Sequence, residues 1–355
     1  MNKTLNILID LSILKNVNCG LGQVALNYGY FFRDNYLPKD NEQIYLLVPA
    51  NFVGKFGDKV KYIACKKIYR IFPFLMFKHF DVWHAIHQLS RYQPFAKKYI
   101  LTIHDFNFVY EKLGRKVTKY LKKIQKKVNR ADQIVCISNF AKEETEKFMQ
   151  LAGKSISVVY NGIERIDLQP QTKPQTTICE PFFFSIGEVK EKKNFHVILN
   201  MMAQMPQYHY YLAGKDSTPY ADKIRNMIKE KSLNNVHLLG IISQEEKVWL
   251  YRHCTAFLFP SLFEGFGLPV VEAMLFRKPV VSSSYTSLKE IGDSYVHFFP
   301  DDFNADKSVE IILNACEQTT NTQLDKAFSY ALSFDWRKNL ECYLDFYRNC
   351  SEEPL

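Results

Sequence analysis

Glu264 and Glu272 stand eight positions apart in the stretch PSLFEGFGLPVVEAM, which spans residues 260–274. TAFLFPS predicts a buried strand and VVEAMLFRK a helix, with Pro269 suited to its first turn. Glycines between them let the backbone approach a ligand, and the start of the helix presents N–H groups to an anion. A first-turn charge that complements the helix dipole would explain Glu272 alone. It does not explain Glu264, because a carboxylate beside an anion site needs hydroxyl donors. The stretch therefore predicts a ligand with both phosphates and hydroxyls.

A second loop that could hold a phosphate follows the apolar run FFFSIG, which ends at Gly187. Three lysines precede the next predicted helix: Lys190, Lys192 and Lys193. A charge cluster of this kind is commonly only a solvated surface run. Ligands of open parallel sheets, however, bind at the carboxyl ends of strands. The position therefore also predicts that one of these lysines neutralises a phosphate.

The first half of the chain has weaker candidates. Gly20 and Gly22 lie just before a helical run, but a lone G-x-G also fits a structural turn and lacks the third glycine of a dinucleotide-binding fingerprint. No G-x-x-x-x-G-K-[ST] occurs, which argues against a P-loop ATPase. His104 ends the predicted strand YILTIHD. Both a satisfied structural histidine and a catalytic one fit that position.

Nine of the residues from Lys112 to Arg130 are Lys or Arg, and none is acidic. Apolar residues recur among them at helical spacing: Leu113, Val117, Tyr120, Leu121, Ile124 and Val128. The segment predicts a basic amphipathic helix. It fits a solvated surface helix, and it also fits a patch that attracts an anionic membrane or acceptor through Lys116, Lys119, Lys122, Lys123, Lys126 and Lys127. Nucleic acid is not an expected partner, because exposed aromatic residues do not interleave with the charges.

Strand patterns alternate with helical patterns along the chain. The strand patterns are LNILIDLSI, QIYLLVP, DVWHAI, KYILTIHD, QIVCIS and SISVVYNGI, then FFFSIG, HYYLAG, VHLLG, TAFLFPS and KPVVSSS. Such alternation predicts an α/β fold with two parallel-sheet domains and a ligand crevice between them. We expect an N-terminal domain at 1–165 and a C-terminal domain at 166–335, with a polar, proline-containing linker at about 163–181. The aromatic-rich segment at 336–355 predicts a packing helix that could cross back to the first domain.

The composition bounds the class of protein. A chain of 355 residues with 47% hydrophobic and 15% aromatic residues suits two packed domains rather than disorder. No apolar run reaches the roughly 18 to 20 residues of a membrane span, and the N-terminus lacks a signal-peptide cleavage pattern. We therefore expect a cytoplasmic protein, either free or peripheral on the inner face of the plasma membrane. Eight scattered cysteines without C-x-x-C pairs favour reduced thiols over disulfides or a structural zinc site.

Taken in order along the chain, these motifs resemble those of glycosyltransferase family 4, also called group 1, whose members have the GT-B fold. The E-x7-E of PSLFEGFGLPVVEAM and the following KPVVSSS are the most specific pieces. CGLGQ, DVWH, LTIHD, VCISNFAKEE, VVYNGIE, SIGEVKEKKN, YYLAGK and VHLLGIIS also fall in the family's order, so the match covers nearly the whole chain. The resemblance implies two Rossmann-like domains facing each other across a donor cleft. It also implies retaining transfer of a sugar from a nucleotide diphosphate sugar.

The same resemblance implies residue roles. Glu264 would contact the donor sugar near its reacting carbon, and Glu272 would accept from the ribose hydroxyls. Lys193, with Lys192, would bind the diphosphate, and His104 would face the donor sugar. Further donor contacts would come from the glutamate loop, a closing glycine loop and a strand end beside the base: Phe266, Gly267, Leu268, Gly20, Gly22, Gly240 and Ile241.

One position departs from the family pattern, because Glu188 stands where some relatives carry an arginine. The phosphate contacts therefore stay open at that point. Lys193 with Lys192 could grip the diphosphate instead, or Glu188 could have a different part.

The expected mechanism is electrostatic. A lysine and a helix N-terminus can stabilise a leaving diphosphate without a divalent metal, so we expect no metal and no other cofactor. The acceptor hydroxyl would attack from the face that the phosphate leaves. The resemblance favours mannose from a GDP donor, and a glycan or lipid-linked acceptor in cell-surface polysaccharide or lipopolysaccharide synthesis. The alternatives are a nucleotide-sugar epimerase of similar build and a non-catalytic sugar-nucleotide-binding protein.

Overall fold

The computed structural model describes most of the chain: residues 4–17, 19–76, 79–112 and 114–349. The chain divides into two compact units. Unit 1 consists of Met1–Glu164 together with Phe334–Leu355, and unit 2 consists of Arg165–Ser333. Each unit is built on one parallel sheet whose strands alternate with helices. The α/β class predicted from the alternating patterns is confirmed.

Unit 1 contains a seven-stranded sheet. Its strands are β1 (Leu5–Asp10), β2 (Glu42–Val48), β3 (Lys61–Ala64), β4 (Phe80–Ala85), β5 (Ala96–Ile103), β6 (Gln133–Cys136) and β7 (Ile156–Val158). All neighbours pair in parallel, in the order β3-β2-β1-β4-β5-β6-β7. The order reverses between β1 and β4, which makes their carboxyl ends the switch point of this sheet. The sequence patterns do not predict β3, which is an edge strand with an exposed first residue and no buried one.

Four helices accompany these strands: α1 (Gly20–Asp34), α2 (Asn107–Glu111), α3 (Arg115–Arg130) and α4 (Asn139–Phe148). α1 covers the sheet with large apolar side chains such as Tyr28, Phe31 and Phe32, which belong to the core of the unit. α3 is the predicted basic helix. It begins at Arg115, after Gly114 with a φ of 58°. Leu113, which the pattern assigned to its apolar stripe, lies outside the described residues.

Unit 2 contains a six-stranded sheet. Its strands are β8 (Phe182–Ile186), β9 (His209–Ala213), β10 (Val236–Gly240), β11 (Ala256–Phe259), β12 (Val280–Ser282) and β13 (His297–Phe298). They pair in parallel in the order β10-β9-β8-β11-β12-β13. The switch point of this sheet lies between β8 and β11. Only β13 has no counterpart among the predicted strands of this unit, and it is two residues long.

The helices of unit 2 are α5 (His196–Met202), α6 (Pro219–Glu230), α7 (Gln244–His253), α8 (Leu268–Leu275), α9 (Ser287–Gly292), α10 (Ala305–Gln318) and α11 (Asn321–Ser333). Local sequence defines several of their starts. Thr218 caps α6 through its side chain and is followed by Pro219 in the first turn. Ser243 and Glu246 form a capping box at α7. These helix starts therefore depend on a few neighbouring residues and need no tertiary contact to define them.

The segment predicted as a linker at 163–181 packs on unit 2 from Arg165 onward. Ile166 is buried. The Thr172 N–H donates to the Glu245 carbonyl at 3.1 Å, and the Arg252 guanidinium donates to the Asp167 carbonyl at 2.8 Å. This part of the predicted linker therefore packs against α7. Polar and proline-rich composition marked the absence of periodic structure, but it did not reveal these backbone contacts.

The C-terminal helix α12 (Trp336–Asn349) belongs to unit 1. Its residues Leu340, Tyr343, Leu344 and Tyr347 join the core of that unit. The Tyr347 hydroxyl bonds to His84 Nδ1 at 2.6 Å, and His84 Nε2 bonds to Thr102 at 2.8 Å. Burial lowers the pKa of His84 to about 3. α12 is therefore attached to the sheet by a neutral, fully bonded imidazole.

Candidate functional site

Lys193 and Glu264 meet at the switch point of unit 2. Lys193 follows β8 in a 3-10 turn over Glu191–Lys193, and Glu264 follows β11. The Lys193 ammonium donates to Glu264 Oε1, and the two side chains are only 13% and 14% exposed. The Lys193 Nζ also lies 4.9 Å from the centre of the Phe259 ring. The structure thus brings two of the predicted catalytic residues into direct contact.

Hydroxyl groups hold Glu264 in place. Ser261 Oγ donates to Glu264 Oε1 at 2.7 Å. The Glu264 N–H donates to Thr286 Oγ1 at 3.1 Å, and Ser287 Oγ donates to the Glu264 carbonyl at 2.9 Å. The sequence patterns do not identify these three residues, because serine and threonine are common in loops. The only available signal was the position of Ser261 three residues before Glu264.

The neighbouring lysines have different contacts. The Lys192 carbonyl accepts from the Leu262 N–H at 2.7 Å and from Ser261 Oγ at 3.2 Å, so this backbone joins the loops after β8 and β11. Lys190 pairs with Glu188 at 2.7 Å on the surface. The unusual Glu188 thus has a cationic partner within its own loop.

Glu272 has its own lysine, Lys247. Lys247 Nζ donates to Glu272 Oε1 at 2.6 Å, and the Tyr251 hydroxyl donates to Oε2 at 2.9 Å. Lys247 and Tyr251 are four residues apart on α7 and therefore share a face. No acidic residue lies in the first turn of α8, so the explanation of Glu272 as a first-turn dipole charge is wrong. That spacing on α7 was the signal that sequence reasoning missed.

Tyr251 is a stable donor to Glu272. Burial, together with the adjacent Glu272 carboxylate, raises the pKa of Tyr251 well above its usual value. The hydroxyl therefore keeps its proton at every ordinary pH. Glu272 is therefore held in one orientation by a permanent hydrogen-bond donor and a lysine.

Glycines bring the strand ends of unit 2 close together. The Gly187 N–H donates to the Ala213 carbonyl at 2.9 Å, and the Gly214 N–H donates to the Gly240 carbonyl at 2.7 Å. A Cβ on Gly214, whose φ is +133°, would lie 2.0 Å from the Gly187 carbonyl oxygen. Gly240, with a φ of +66°, ends β10, and the following Ile241 is 79% exposed. The two predicted base-side residues thus stand at the open end of the strand.

The loop that contains Glu264 leads directly into α8. Gly267 precedes this helix with a φ of 104°, and a Cβ there would lie 2.5 Å from Leu288. Leu268 is the first helical residue, and Phe266 is buried. The first N–H groups of a helix have no partner within it. The anion contact at Gly267 and Leu268 stays a prediction, and the N–H groups of this helix start would be its donors.

The sequence patterns predict that Gly20 and Gly22 lie just before a helix. In the structure both lie in the first turn of α1. A Cβ on Gly22 would lie 2.1 Å from the Asn16 carbonyl oxygen, whereas Gly20 has open space. The need for glycine at position 22 is explained by the close approach of the preceding turn. The location of this pair is thus corrected, and Gly22 has a packing reason to be glycine.

His104 is buried at the end of β5, in unit 1. Its Nε2 donates to the Ile86 carbonyl at 2.7 Å, and its N–H donates to the Gln88 side chain at 3.1 Å. The carbonyl can only accept, so the proton of the neutral ring lies on Nε2 and Nδ1 is an acceptor. Burial lowers the pKa of His104 to about 4. The side chain is therefore an uncharged hydrogen-bonding group at neutral pH.

The switch point of unit 1 contains a carboxylate and a cation, Asp10 and Lys127, that the sequence patterns do not bring together. Asp10 ends β1, accepts from the Ser90 hydroxyl, and accepts from the Ser12 N–H at 2.9 Å. Lys127 Nζ donates to the Ser90 carbonyl at 2.6 Å. Burial lowers the pKa of Lys127 to about 8, against the opposing effect of Asp10. Lys127 reaches this place because it points inward from α3.

The basic patch predicted on α3 consequently lacks Lys127, which is buried. The other five lysines of the prediction are exposed: Lys116, Lys119, Lys122, Lys123 and Lys126. A shallow groove of about 480 Å³ runs along this helix and is lined by Arg115, Thr118 and four of these lysines. The correction follows from the helical period, since position 127 falls on the same face as the buried Ile124 and Val128.

Three structural findings concern the described residues alone. Within them, no group of three or more His, Cys, Asp or Glu side chains could hold a metal ion. None of their helices combines the length with the apolar character that a bilayer span needs. Their seven cysteines are free thiols, and Cys350 lies outside the described residues.

The chain is similar in sequence to known proteins. The family described as "Glycosyl transferases group 1" matches residues 170–331, and "Glycosyltransferase Family 4" matches residues 33–165. The O-antigen chain mannosyltransferase RfbU of Salmonella typhimurium is 24% identical over 93% of this chain and 96% of its own length. The serotype-specific mannosyltransferase WbdA of Escherichia coli is 28% identical over 180 residues, 46% of this chain. That match spans only 22% of WbdA.

The fold has a counterpart among solved structures. The crystal structure of Anabaena HepE in complex with UDP and glucose aligns with a TM-score of 0.74 at 18% identity, over 97% of this chain and 100% of that one. This likeness, with the two parallel sheets, confirms the predicted GT-B fold. The two family matches adjoin each other and together span most of the sequence. The chain therefore belongs to the group 1, or family 4, glycosyltransferases.

Proposed function

We propose that this glycosyltransferase is a retaining hexosyltransferase that takes its sugar from a nucleotide diphosphate sugar. The observation that carries the proposal is the Lys193–Glu264 ion pair at the switch point of unit 2. It combines a cation for a diphosphate with a carboxylate for sugar hydroxyls, at the place where open parallel sheets bind ligands. The HepE crystal structure is a complex with UDP and glucose, and its similar fold supports a donor of this class.

We further propose mannose as the sugar and a glycan or lipid-linked acceptor, in the synthesis of a cell-surface polysaccharide or lipopolysaccharide. The support is that RfbU and WbdA are both named mannosyltransferases and that RfbU is named for the O-antigen chain. GDP is the expected nucleotide for mannose. The similarity to these relatives is low, so the sugar is a separate question from the reaction class.

Donor binding exchanges the partner of Lys193. Its ammonium would leave Glu264 Oε1 for the diphosphate, with Lys192 beside it and with N–H groups of Phe266, Gly267 and Leu268 oriented toward the sugar and phosphates. Glu264 would then accept from sugar hydroxyls, while Ser261 keeps its carboxylate in place. The ion pair thus keeps both side chains positioned before the donor arrives. Little reorganisation is needed on binding, which is the condition for strong electrostatic catalysis.

Glu272 would bind the ribose of the donor. It is already held by Lys247 and Tyr251, so its orientation does not depend on the ligand. Gly240 and Ile241 would border the base, through backbone and through an exposed apolar side chain. His104 offers a neutral imidazole to a substrate hydroxyl. We assign no step to Gly20 or Gly22 beyond a contribution of the first turn of α1 to donor contacts.

The proposed reaction forms a bond between an acceptor oxygen and the anomeric carbon while the bond from that carbon to the diphosphate breaks. The electron pair leaves with the diphosphate, where Lys193 and the start of α8 stabilise it. The acceptor's proton passes to the departing phosphate oxygen on the same face, so the configuration is retained. In the donor complex Glu264 is engaged by Ser261 and by the sugar hydroxyls, which disfavours its use as a covalent nucleophile. Because Lys193 supplies the positive charge, the proposal includes no metal or other cofactor.

The test is a transfer assay on purified protein. A thermal-shift comparison of UDP and GDP first identifies the nucleotide. The matching sugar nucleotide is then incubated with and without a lipid-linked or glycan acceptor extract, and the product's anomeric configuration is determined by NMR. Lys193→Gln and Glu264→Gln should each lower kcat by about 10²- to 10³-fold. Lys190→Gln, which removes the same charge from the same loop, should stay near wild type.

Different outcomes separate the alternatives. Conversion of the donor without acceptor would identify an epimerase. Tight nucleotide binding with neither transfer nor hydrolysis would identify a binding protein. Near-normal transfer by Lys193→Gln and Glu264→Gln would contradict the site assignment, and an inverted product would contradict retention alone.

We also propose that the exposed basic face of α3 docks the enzyme on an anionic membrane, where a lipid-linked acceptor is found. The support is the five exposed lysines, since each well-placed charge contributes about 1 kcal/mol near an anionic surface. Nucleic acid has no supporting motif and is left out of the proposal. The test is flotation with phosphatidylglycerol vesicles. Changing Lys119, Lys122, Lys123 and Lys126 to Gln should abolish binding, whereas the same change at the exposed Lys39, Lys223, Lys229 and Lys231 should not. Absence of wild-type binding even at low salt would contradict docking.

A further inference from the structure

A small cavity lies at the switch point of unit 1. It measures about 50 Å³ and is lined by residues that follow three strands of the sheet: Ser12 and Lys15 after β1, Arg70 after β3, and His87 and Arg91 after β4. A water occupies roughly 10 to 15 Å³ on this measure, so the space equals a few waters. That size suits a tetrahedral oxyanion rather than a sugar ring. The location is where a parallel sheet with this strand order binds ligands.

The lining of this cavity is cationic. Lys15, Arg70 and Arg91 line it, and no carboxylate does. None of these three forms an ion pair with a carboxylate of the described residues. Asp10 lies nearby but is already bonded to the Ser90 hydroxyl and the Ser12 N–H, and it faces the buried cation Lys127. The local charge is therefore positive and uncompensated, which favours an anion.

Arg70 has a buried donor without a partner. Its Nε is inaccessible to solvent and makes no hydrogen bond, although its guanidinium lies 5.0 Å from the centre of the Tyr92 ring. A buried N–H without a partner destabilises the folded protein, and more so when the group is charged. Native proteins rarely keep such a group unless a water or an ion completes it. A guanidinium can also bind an oxyanion through two parallel N–H bonds.

His87 adds a neutral donor to the same lining. Its Nδ1 accepts from the Leu89 N–H at 3.2 Å, so the proton of the neutral ring lies on Nε2. Burial, with Lys127, His104 and Lys15 nearby, lowers the pKa of His87 to about 3. The ring thus donates one hydrogen bond without adding or removing charge.

We propose that this cavity binds a phosphoryl group of the acceptor, held by Arg70, Lys15 and Arg91. This proposal rests on the proposed function only where it calls the ligand an acceptor. The acceptor class is then a phosphate ester, carried either by a soluble sugar phosphate or by a phosphorylated lipid. The two sources present the same chemistry to the cavity.

The experiment measures phosphate binding in the Lys193→Gln background, which weakens phosphate binding in unit 2. Glucose 1-phosphate is titrated by calorimetry, with glucose as the uncharged match. A second arm uses vesicles of phosphatidic acid in phosphatidylcholine. Adding Arg70→Gln should weaken binding by about tenfold, as expected for loss of a charge-assisted hydrogen bond. Adding Lys39→Gln, which removes an exposed charge elsewhere in unit 1, should leave the affinity unchanged.

A tenfold loss of affinity in either arm supports phosphoryl binding in the cavity. The arm that shows the loss identifies the source of the phosphate ester. Equal affinity with and without Arg70→Gln in both arms overturns it, as does a lack of binding in the Lys193→Gln parent. If Arg70→Gln fails to fold, the exposed Arg91→Gln replaces it with the same expectation. Binding of UDP and GDP by otherwise unmodified protein is measured in parallel. Arg70-dependent phosphate binding without nucleotide binding would support the phosphoryl site and contradict the proposed function. Nucleotide binding without Arg70-dependent phosphate binding would support the proposed function and contradict the phosphoryl site.

Discussion

The switch points of the two sheets share a topology but differ in how they balance charge. In unit 2 each important carboxylate has its own lysine, Glu264 with Lys193 and Glu272 with Lys247. In unit 1 the cations Lys15, Arg70 and Arg91 stand together without carboxylate partners in the lining of one cavity. Paired charges hold side chains in position and can exchange partners with a ligand. Unpaired cations attract a ligand that brings the missing negative charge.

The two switch points also differ in their backbone and in their histidines. Gly187 and Gly214 bring the strand ends of unit 2 into close contact. Unit 1 instead buries three imidazoles at or near the carboxyl ends of its strands, His84, His87 and His104. The strand ends of one sheet are therefore shaped by close backbone contacts, and those of the other by neutral side chains. The same strand order can thus be adapted to different ligands through the residues that follow its strands.

The largest effect is expected from variants that break the charge pairing of unit 2. Lys193→Gln and Glu264→Gln should each lower kcat by about 10²- to 10³-fold, because each removes one partner of a largely buried pair. The double variant should lose far less than the product of the two single losses, since the residues contact each other. Transfer rates of all three variants measure the coupling. Multiplicative losses would show that the pair does not act as a unit.

The second effect concerns the close backbone approach in unit 2. Gly214→Ala should destabilise the protein by about 3 kcal/mol or more, since its Cβ would meet a backbone oxygen and its φ is unfavourable. Gly153→Ala in unit 1 also has a positive φ, of +81°, but meets no atom within 4 Å. It should cost only about 1 kcal/mol. Urea unfolding of both variants provides the comparison, and equal losses would refute the role of the close approach.

The third expected effect is a pH dependence of stability that the neutral histidines of unit 1 cause. The pKa values of His84 and His87 are lowered to about 3, and that of His104 to about 4, whereas the unfolded chain binds these protons near pH 6.5. Stability from this source is complete above pH 6.5 and is lost as the pH falls toward 4 for His104 and toward 3 for His84 and His87. The loss is up to about 1.4 kcal/mol per pH unit for each histidine. Urea unfolding at pH 7, 6 and 5 measures the slope.

A histidine variant tests whether the slope of the unfolding free energy against pH comes from these residues. His84→Gln should flatten the pH dependence of the unfolding free energy below pH 6.5, because one proton-binding difference between the folded and unfolded states is removed. His79→Gln, at an exposed position of the same unit, is the matched control and should leave the slope as it is. An unchanged slope in His84→Gln would contradict the assignment.

The smallest expected effect tests the attachment of α12 to unit 1. Tyr347→Phe removes the hydroxyl bonded to His84 Nδ1 but keeps the buried ring. The loss of one buried hydrogen bond should cost about 1 kcal/mol. Thermal unfolding measures it, with Tyr330→Phe at a half-buried position of unit 2 for scale. A gain in stability would show that the contact is not favourable.

Much of the fold was predictable from local patterns. Apolar strands alternating with helices predicted both parallel sheets. The two strands that were not predicted, β3 and β13, lie at sheet edges and contain no buried residue. The spacing of Glu264 and Glu272 and the position of Lys193 were enough to indicate a donor site. The roles of Lys247 and Tyr251 were not predicted, because their importance depends on a carboxylate that lies on another helix. Lys127 was misplaced because charge composition does not say which helical face is buried.

The sequence by itself determined the elements, their order and the residue types at the strand ends, since these depend on period, propensity and turn chemistry within a few positions. Only the tertiary structure decided which of those residues meet. Lys193 and Glu264 are 71 residues apart, and they contact each other because β8 and β11 are neighbours in the sheet. The cavity of Arg70 likewise requires the loops after β1, β3 and β4 to converge. Contacts over such sequence distances follow from the strand order of the sheet. Local sequence does not specify that order.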